Sequence, residues 1–490
     1  MQNCVKNHKN AAKYQQMEKV KINPITRKNL PLLLSSIFIL AGAIFIIPYG
    51  DFQEADTVHK FWIGISIISL GFIISWAIKS INYVWFWSIT ILARLILIPM
   101  EPWSDVWRYL WEGYIQNLGI SPYEFAPNAI ELIPYRTEWW SLINNSDTSA
   151  IYPPLSQLGF RFLAAINPSV LIFKLAFILA DLGICWLLSR KFTLEKTIIY
   201  AWNPLIIYSF AGGAHYDSWF ILPLVAAWLA FDNNRWYWSS FLIGISVAIK
   251  WMSLPILSFV VWQKILDKQQ HNTDRIWQIN ELDQTNNLAN REQKLKLACS
   301  KLTGNILYRK IKQVGFLLLV SLLPMCIAAM SFCEPGKCSL IPTSSNFVVK
   351  GRSAEFIPYL VSLIWAKSTQ YNWIYGIPVV LGVGILIWNI HKFVNFAESY
   401  FFILLTLSPI VHSWYFTWLI PFAVVTRNLG TKLVTLSALI YFVLPYRQIA
   451  GDNSWFLTPM ERYWLWFPFI IGFIRSNWRE KKFRIPKKEL

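Results

Sequence analysis

The sequence lacks the marks of an enzyme that handles nucleotides in a soluble domain. Its 490 residues contain no P-loop, no strand–GxGxxG–helix unit and no HExxH pair. Charge is scarce, at 15% of residues. No metal-type Cys–His spacing surrounds the close pair Cys333 and Cys338. No polar stretch is long enough for a nucleotide-sugar fold, so any group-transfer substrate must arrive through the bilayer. No cleavable leader is visible, because about thirty polar and basic residues precede the first apolar block.

Apolar sequence is abundant instead. Hydrophobic residues make up 55% of the chain, and they come in blocks. A helix of roughly 20 residues, rising about 1.5 Å per residue, crosses the ~30 Å hydrocarbon layer. The blocks predict an all-α polytopic membrane protein; the alternation of a membrane barrel is absent. Net charge is +18. In a soluble domain that would suggest nucleic acid. Here it reads as basic cytoplasmic loops, with no nucleic-acid partner. The 27 tryptophans fit interfacial belts, with a few left for stacking on sugars.

Charge orders the blocks. Residues 1–30 hold seven Lys/Arg and one acid and read as a cytoplasmic tail. Spans follow near 31–48, 61–78 and 82–99. The segment 100–168 has seven acids and three arginines, which places it outside. Spans near 169–189, 196–211 and 217–231 come next. The stretch 236–263 must enter and return as two short helices meeting near Lys250 and Pro255, because the loop 263–312 after it carries ten basic residues and five acids. That loop reads as flexible or helical cytoplasmic structure. A second membrane module, 313–474, has spans near 313–331, 373–390, 398–411, 413–426, 431–446 and 461–474. The tail 475–490, with seven basic residues and two acids, returns inside. The expectation is 12–14 spans, an N-terminal module over 31–262, and both termini cytoplasmic. Cys333 and Cys338 would form a disulfide if their loop faces an oxidising compartment.

Polar residues collect on the outer face. In "EPWSDVWRYLWEG", Ser104 is a candidate N-cap and Asp105 opens a helix that Gly119 and Pro122 end. Asp105, Arg108, Tyr109 and Glu112 fall on one face, at i, i+3, i+4 and i+7. Trp107, Leu110, Trp111, Tyr114, Ile115 and Leu118 fall on the other, so the helix should lie flat, apolar side down, on the membrane domain. The charges alone also fit ordinary surface ion pairs worth about 0.3–0.5 kcal/mol each. Other outer segments join them: Glu101, Tyr152 in "YPPLSQ", Asn203, His215 and Asp217 in "WNPLIIYSFAGGAHYDSW", and His412, Trp414 and Tyr415 in "SPIVHSWYFTW". Lys250 and Arg94 are ionisable residues within apolar spans, which are functional candidates. Lys174 and Asp181, at i and i+7, read as a polar pair or as contacts within the bundle.

The segments "SDVWRYLWEGYIQNLGISPYEFAP", "YPPLSQLGF", "WNPLIIYSFAGGAHYDSW", "ISVAIKWMSLP" and "SPIVHSWYFTWLIPF", in this order, resemble the GT-C superfamily of membrane glycosyltransferases. The members they are similar to are bacterial polyprenyl-phosphate-mannose mannosyltransferases and the catalytic subunit of GPI mannosyltransferase I. The resemblance covers roughly residues 85–426. It implies a GT-C-like bundle with amphipathic helices in the first large outer loop. It also implies a bacterial inner-membrane enzyme, a polyprenyl-phosphate mannose donor, and a lipid or glycan acceptor on the non-cytoplasmic face. Asp105 matches the family's acidic residue. Many members carry a second acid beside it; here the sequence is Ser104-Asp105-Val106, so a metal held by paired acids is not supported. On this reading Asp105 is the general base and the step inverts the anomeric carbon. Arg108 and Lys250, with His215 or Arg94, hold the leaving phosphate. Glu101, Tyr109, Glu112, Tyr152, Asn203, Asp217, His412, Trp414 and Tyr415 are the remaining candidates for substrate contact. A lipid-linked sugar transporter or flippase is the alternative. That protein would place its site near mid-bilayer between repeated halves, and no repeat is seen.

Overall fold

The computed structural model describes residues 29–267, 291–333, 338, 340, 349–452 and 454–484. Nearly all of the N-terminal tail, part of the basic loop (268–290) and the last six residues lie outside this set. Among the described residues all regular structure is helical. Six segments are long and apolar enough to cross a membrane: Leu30–Tyr49, Ala55–Ser75, Val170–Lys191, Tyr308–Ala329, Asn372–Asn389 and Leu429–Ile449. Six shorter apolar helices accompany them. The chain is an all-α polytopic membrane protein. The described part of the basic loop beyond residue 290 is helical, the start of a long helix Arg291–Ala329. Cys333 and Cys338 are joined as a disulfide.

Small residues let the first two helices approach. A Cβ on Gly42 would lie 2.7 Å from the Gly64 carbonyl oxygen, and Ser35 Oγ donates to the Gly71 carbonyl at 2.8 Å. Membrane helices pack through such small-residue seams because lipid offers no hydrophobic drive to bring them together.

Three expected spans are interrupted. The third is a 13-residue helix, Tyr83–Leu95, followed by turns. Lys174 Nζ, inside a span, donates to the carbonyls of Leu97 at 3.2 Å and Ile98 at 3.1 Å, and to that of Met100. Lys174 thus fixes the turn that leads to Asp105 and makes no pair with Asp181. The stretch 196–211 breaks at Trp202–Asn203 and resumes as a four-residue helix Pro204–Ile207 and a π-turn Tyr208–Gly212. The stretch 413–426 starts as a 3₁₀ turn, Ser413–Trp418. The helices Trp236–Ile249 and Leu254–Leu266 meet at an extended Lys250, where the sequence placed the break. Exposed carbonyls there are satisfied within the protein; Ser156 Oγ donates to the Ile249 carbonyl at 2.6 Å. Irregular backbone at membrane depth persists only when buried in protein or lining a cavity. Tyr216 and Asp217, Lys250, and His412, Trp414 and Tyr415, from or beside these breaks, line one cavity.

The helix Asp105–Asn117 does not lie flat and open. Val106, Tyr109 and Leu110 enter the main core. Trp111 and Ile115 instead pack against Leu132 and Ile143 of the following loop. That loop folds back as a cover, so the helix is buried on both sides. Gly113 faces the helix Pro154–Ile166, and an added Cβ would sit 2.3 Å from the Phe160 carbonyl oxygen. Backbone cannot yield there. Gly113→Ala should therefore cost about 1–3 kcal/mol, read as a lower thermal midpoint of the purified protein. An unchanged midpoint would show that the two helices separate freely.

Candidate active site

A cavity of about 580 Å³ opens between the Asp105 helix, its loop cover and the C-terminal half of the chain. Asp105, Arg108, Tyr109, Tyr152, Asp217, Lys250, His412, Trp414 and Tyr415 line it. Asp105 stands at the first turn of its helix. Ser104 makes no side-chain cap there; its hydroxyl accepts from Asn144 Nδ2 at 3.3 Å. The same Asn144 amide donates to Asp105 Oδ1 at 2.5 Å. On the other carboxylate oxygen, His215 Nδ1 lies 3.5 Å away. Burial raises the Asp105 pKa, but the neighbouring His215 and the Asn144 bond outweigh it and hold the carboxyl below its ordinary value. Asp105 is therefore ionised at neutral pH.

His215 is delivered by local backbone. The π-turn ends with Gly213 N donating to the Tyr208 carbonyl at 2.7 Å. Ala214 is left-handed, with φ 58°, and His215 N reaches the Ser209 carbonyl at 2.9 Å. π-turns and left-handed non-glycine residues cost stability and recur at functional sites. Trp103 N donates to the Gly213 carbonyl at 3.1 Å, which ties this turn to the start of the Asp105 helix. The His215 ring stacks on Trp414 at 3.8 Å, and His412 stacks nearby on Trp414 at 4.5 Å.

Lys250 and Asp217 form a second centre. Lys250 Nζ donates to Asp217 Oδ1 at 2.6 Å, and Trp418 Nε1 donates to the same oxygen at 2.6 Å. The ammonium also lies about 5 Å from the ring centres of Tyr216 (5.0 Å), Tyr415 (5.0 Å) and Trp418 (4.9 Å). Asp217 Oδ2 has no hydrogen-bond partner among the described residues.

Several sequence candidates stand elsewhere. Arg94 is fully buried against Asp181, Nε to Oδ2 2.6 Å, and donates to the carbonyls of Thr90 and Ala201; it is a strut inside the bundle and not part of the cavity wall. Glu101 is exposed and off the wall. Asn203 caps its own helix, accepting from Leu205 N at 3.0 Å and Ile206 N at 3.3 Å. Glu112 is buried behind the wall, taking Arg108 Nε at 2.5 Å and Gln157 Nε2 at 2.6 Å. Arg108 touches the cavity, but it pairs with Glu112 and not with Asp105. Its Nη1 donates to the Asn145 carbonyl at 2.8 Å and its Nη2 to that of Thr148. The ion pair foreseen as a surface pair is buried and braces the loop that carries Asn144.

Trp103, Asn144, Arg352, Tyr441 and Trp455 also line the cavity and were missed. Trp103 lies beside Asp105 in the quoted motif, which was a signal. Asn144 and Arg352 sit in loops without periodicity, and Tyr441 lies within an apolar run, so no signal marked them. Among the described residues no three His, Cys, Asp or Glu side chains gather as metal ligands, and Asp105 has no adjacent acid. These residues do not make up a divalent-cation site.

Tyr441 links the histidine to the wall. Trp455 Nε1 donates to Tyr441 Oη at 3.2 Å, so the tyrosine proton is free to donate to His412 Nδ1, 2.5 Å away. Burial lowers the His412 pKa to about 4; Asp105 pulls it up, while His215 and Lys250 push it down. An unfolded histidine titrates near 6.5. Between about pH 6.5 and about pH 4 the unfolded chain binds a proton that folded His412 refuses, so this residue lowers stability as pH falls through that window. Asp105 acts at still lower pH, below its ordinary carboxylate range. The thermal midpoint should drop across the His412 window, and His412→Gln should flatten the drop. An equal slope in the variant would remove His412 as its source.

Residues 57–265 match the family model described as "Alpha-(1->6)-mannopyranosyltransferase, N-terminal domain". This match supports a glycosyltransferase that moves mannose. It spans Asp105, Asp217 and Lys250, which line the cavity, and His215, which stands beside Asp105. The chain matched no curated protein and no solved structure.

Proposed function

We propose that the protein transfers mannose, with inversion, from a polyprenyl-phosphate donor to a lipid or glycan acceptor on the non-cytoplasmic face of the membrane. The observation that carries this reading is Asp105, bonded by Asn144 and beside His215, at the wall of an aromatic cavity inside a membrane-embedded bundle. An acceptor hydroxyl beside Asp105 loses its proton late, as the new C–O bond forms and its acidity rises. A carboxylate with a low pKa suffices for that step. His215 and Asn144 aim the carboxylate. The same charge stabilises the positive character that builds on the sugar as the C–O bond to phosphate breaks. Trp103, in the cavity wall, offers a face for the sugar ring.

The test uses purified full-length protein in lipid nanodiscs with labelled polyprenyl-phosphate mannose or GDP-mannose and a membrane-lipid acceptor. Transfer from the lipid-linked donor alone is expected, with the product examined for the 1→6 linkage named in the matching family's description. Transfer from GDP-mannose would overturn the donor assignment. In vesicles, movement of label across the membrane without covalent transfer would favour the transporter.

A further inference from the structure

The cations of the cavity are unequally committed. Lys250 is neutralised by Asp217, and all three Arg108 nitrogens already donate within the protein. Arg352 differs. Arg352 is among the residues that line the cavity, with Nη2 donating to the Ser368 carbonyl at 2.7 Å and the Tyr375 ring centre 5.3 Å away. Its Nε and Nη1 are buried and have no hydrogen-bond partner among the described residues. Glu355 is close enough to feel the Arg352 charge, yet it is held by Arg462 at 3.1 Å. An arginine cannot escape this situation by losing its proton. A buried charged donor left unmade is costly, and an anionic ligand oxygen offsets that cost.

The segment that presents Arg352 is pinned on both sides. Asn372 Nδ2 donates to the Gly351 carbonyl at 3.1 Å. Ala354 N donates to the Val411 carbonyl at 3.3 Å, and Trp466 Nε1 to the Ala354 carbonyl at 2.8 Å. Arg462 Nη1 donates to the Glu355 carbonyl at 2.5 Å. A cation with two N–H-bearing nitrogens unpaired among the described residues, on a fixed backbone, is prepared for a ligand.

We infer that Arg352 holds a phosphoryl oxygen of the lipid-linked substrate, so that the half of the chain beyond residue 350 anchors the phosphate while the first half supplies Asp105. This rests on the lipid-donor reading above. It transfers to Arg352 the task that the sequence gave to Arg108 and Lys250. The substrate's phosphate would then be gripped at the cavity wall, on the opposite half of the chain from the base.

The experiment measures binding of polyprenyl phosphate to the full chain in nanodiscs, with polyprenol and inorganic phosphate as separate probes. Arg352→Gln should weaken polyprenyl phosphate roughly 10- to 100-fold and leave polyprenol unchanged. Arg352→Lys, which keeps the charge, should fall between. Weak inorganic-phosphate binding that Arg352→Gln abolishes would place the hook on phosphate itself. Wild-type affinity in the folded Gln variant overturns the inference, as does equal weakening of polyprenol. Should the Gln variant not fold, wild-type affinity in the Lys variant overturns it. A wild-type protein that binds no polyprenyl phosphate refutes the lipid-donor reading and the inference together.

Discussion

Asp105→Asn protein should reach the membrane, melt near the wild-type midpoint and transfer mannose roughly 10²–10⁴-fold more slowly. The substitution is nearly isosteric. The new side-chain oxygen can still accept from Asn144, whose amide lies 2.5 Å from Asp105 Oδ1, so the loop cover keeps its register. What disappears is the negative charge that, on the proposed mechanism, takes the acceptor's proton and faces the developing charge on the sugar. The loss should therefore appear in kcat, with the donor KM little changed, because the interaction is made in the transition state. Asn144→Ala is the companion. It leaves the charge in place but frees the carboxylate on one side, and a smaller loss is expected. Steady-state transfer by both variants, normalised to folded protein, checks the pair. Wild-type turnover by Asp105→Asn removes the assignment, and a pure KM effect converts Asp105 from base to binding group.

The parts of this protein that were legible in the sequence are those that obey a period. Long apolar blocks gave the helical membrane class, and the interruption at Lys250 gave a broken helix where one is found. The helix start at Asp105 and its end before Gly119 were readable from local chemistry, and Gly119 has φ +81°. Helical spacing put Asp105, Arg108 and Glu112 on one face but could not say what covers that face. Carbonyls of Asn145 and Thr148 take Arg108 there, while Leu132 and Ile143 of the same loop close over Trp111 and Ile115 on the opposite face; the loop's sequence has no repeat. Partner choice was the other blind spot. Arg94 stands near the end of a span and seemed able to reach the cavity, whereas Asp181, eighty-seven positions away, holds it inside the bundle. Long-range pairing of single charges leaves no trace in one sequence. Arg352 was hidden for the same reason, since no sequence pattern marks two nitrogens left without a partner among the described residues.

The Arg94–Asp181 pair carries the second large effect. Both side chains have no exposed surface, and Tyr200 Oη donates to the remaining Asp181 oxygen at 2.8 Å. Arg94→Met strips the carboxylate of its charge partner at membrane depth and leaves the Ala201 carbonyl without its donor. Breaking a buried pair from one side costs about 3–5 kcal/mol, so the single variant should express poorly and melt well below wild type. Arg94→Met with Asp181→Leu removes both charges. Apolar replacement of a whole buried pair is often near neutral, so the double variant should recover most of the midpoint and, with the cavity wall intact, most of the transfer rate. Thermal unfolding and turnover measured on the two single variants and the double variant decide the matter. If the double variant is stable but inactive, Arg94 or Asp181 serves the reaction as well as the fold. If Arg94→Met alone melts like wild type, the pair is not the strut that its geometry describes.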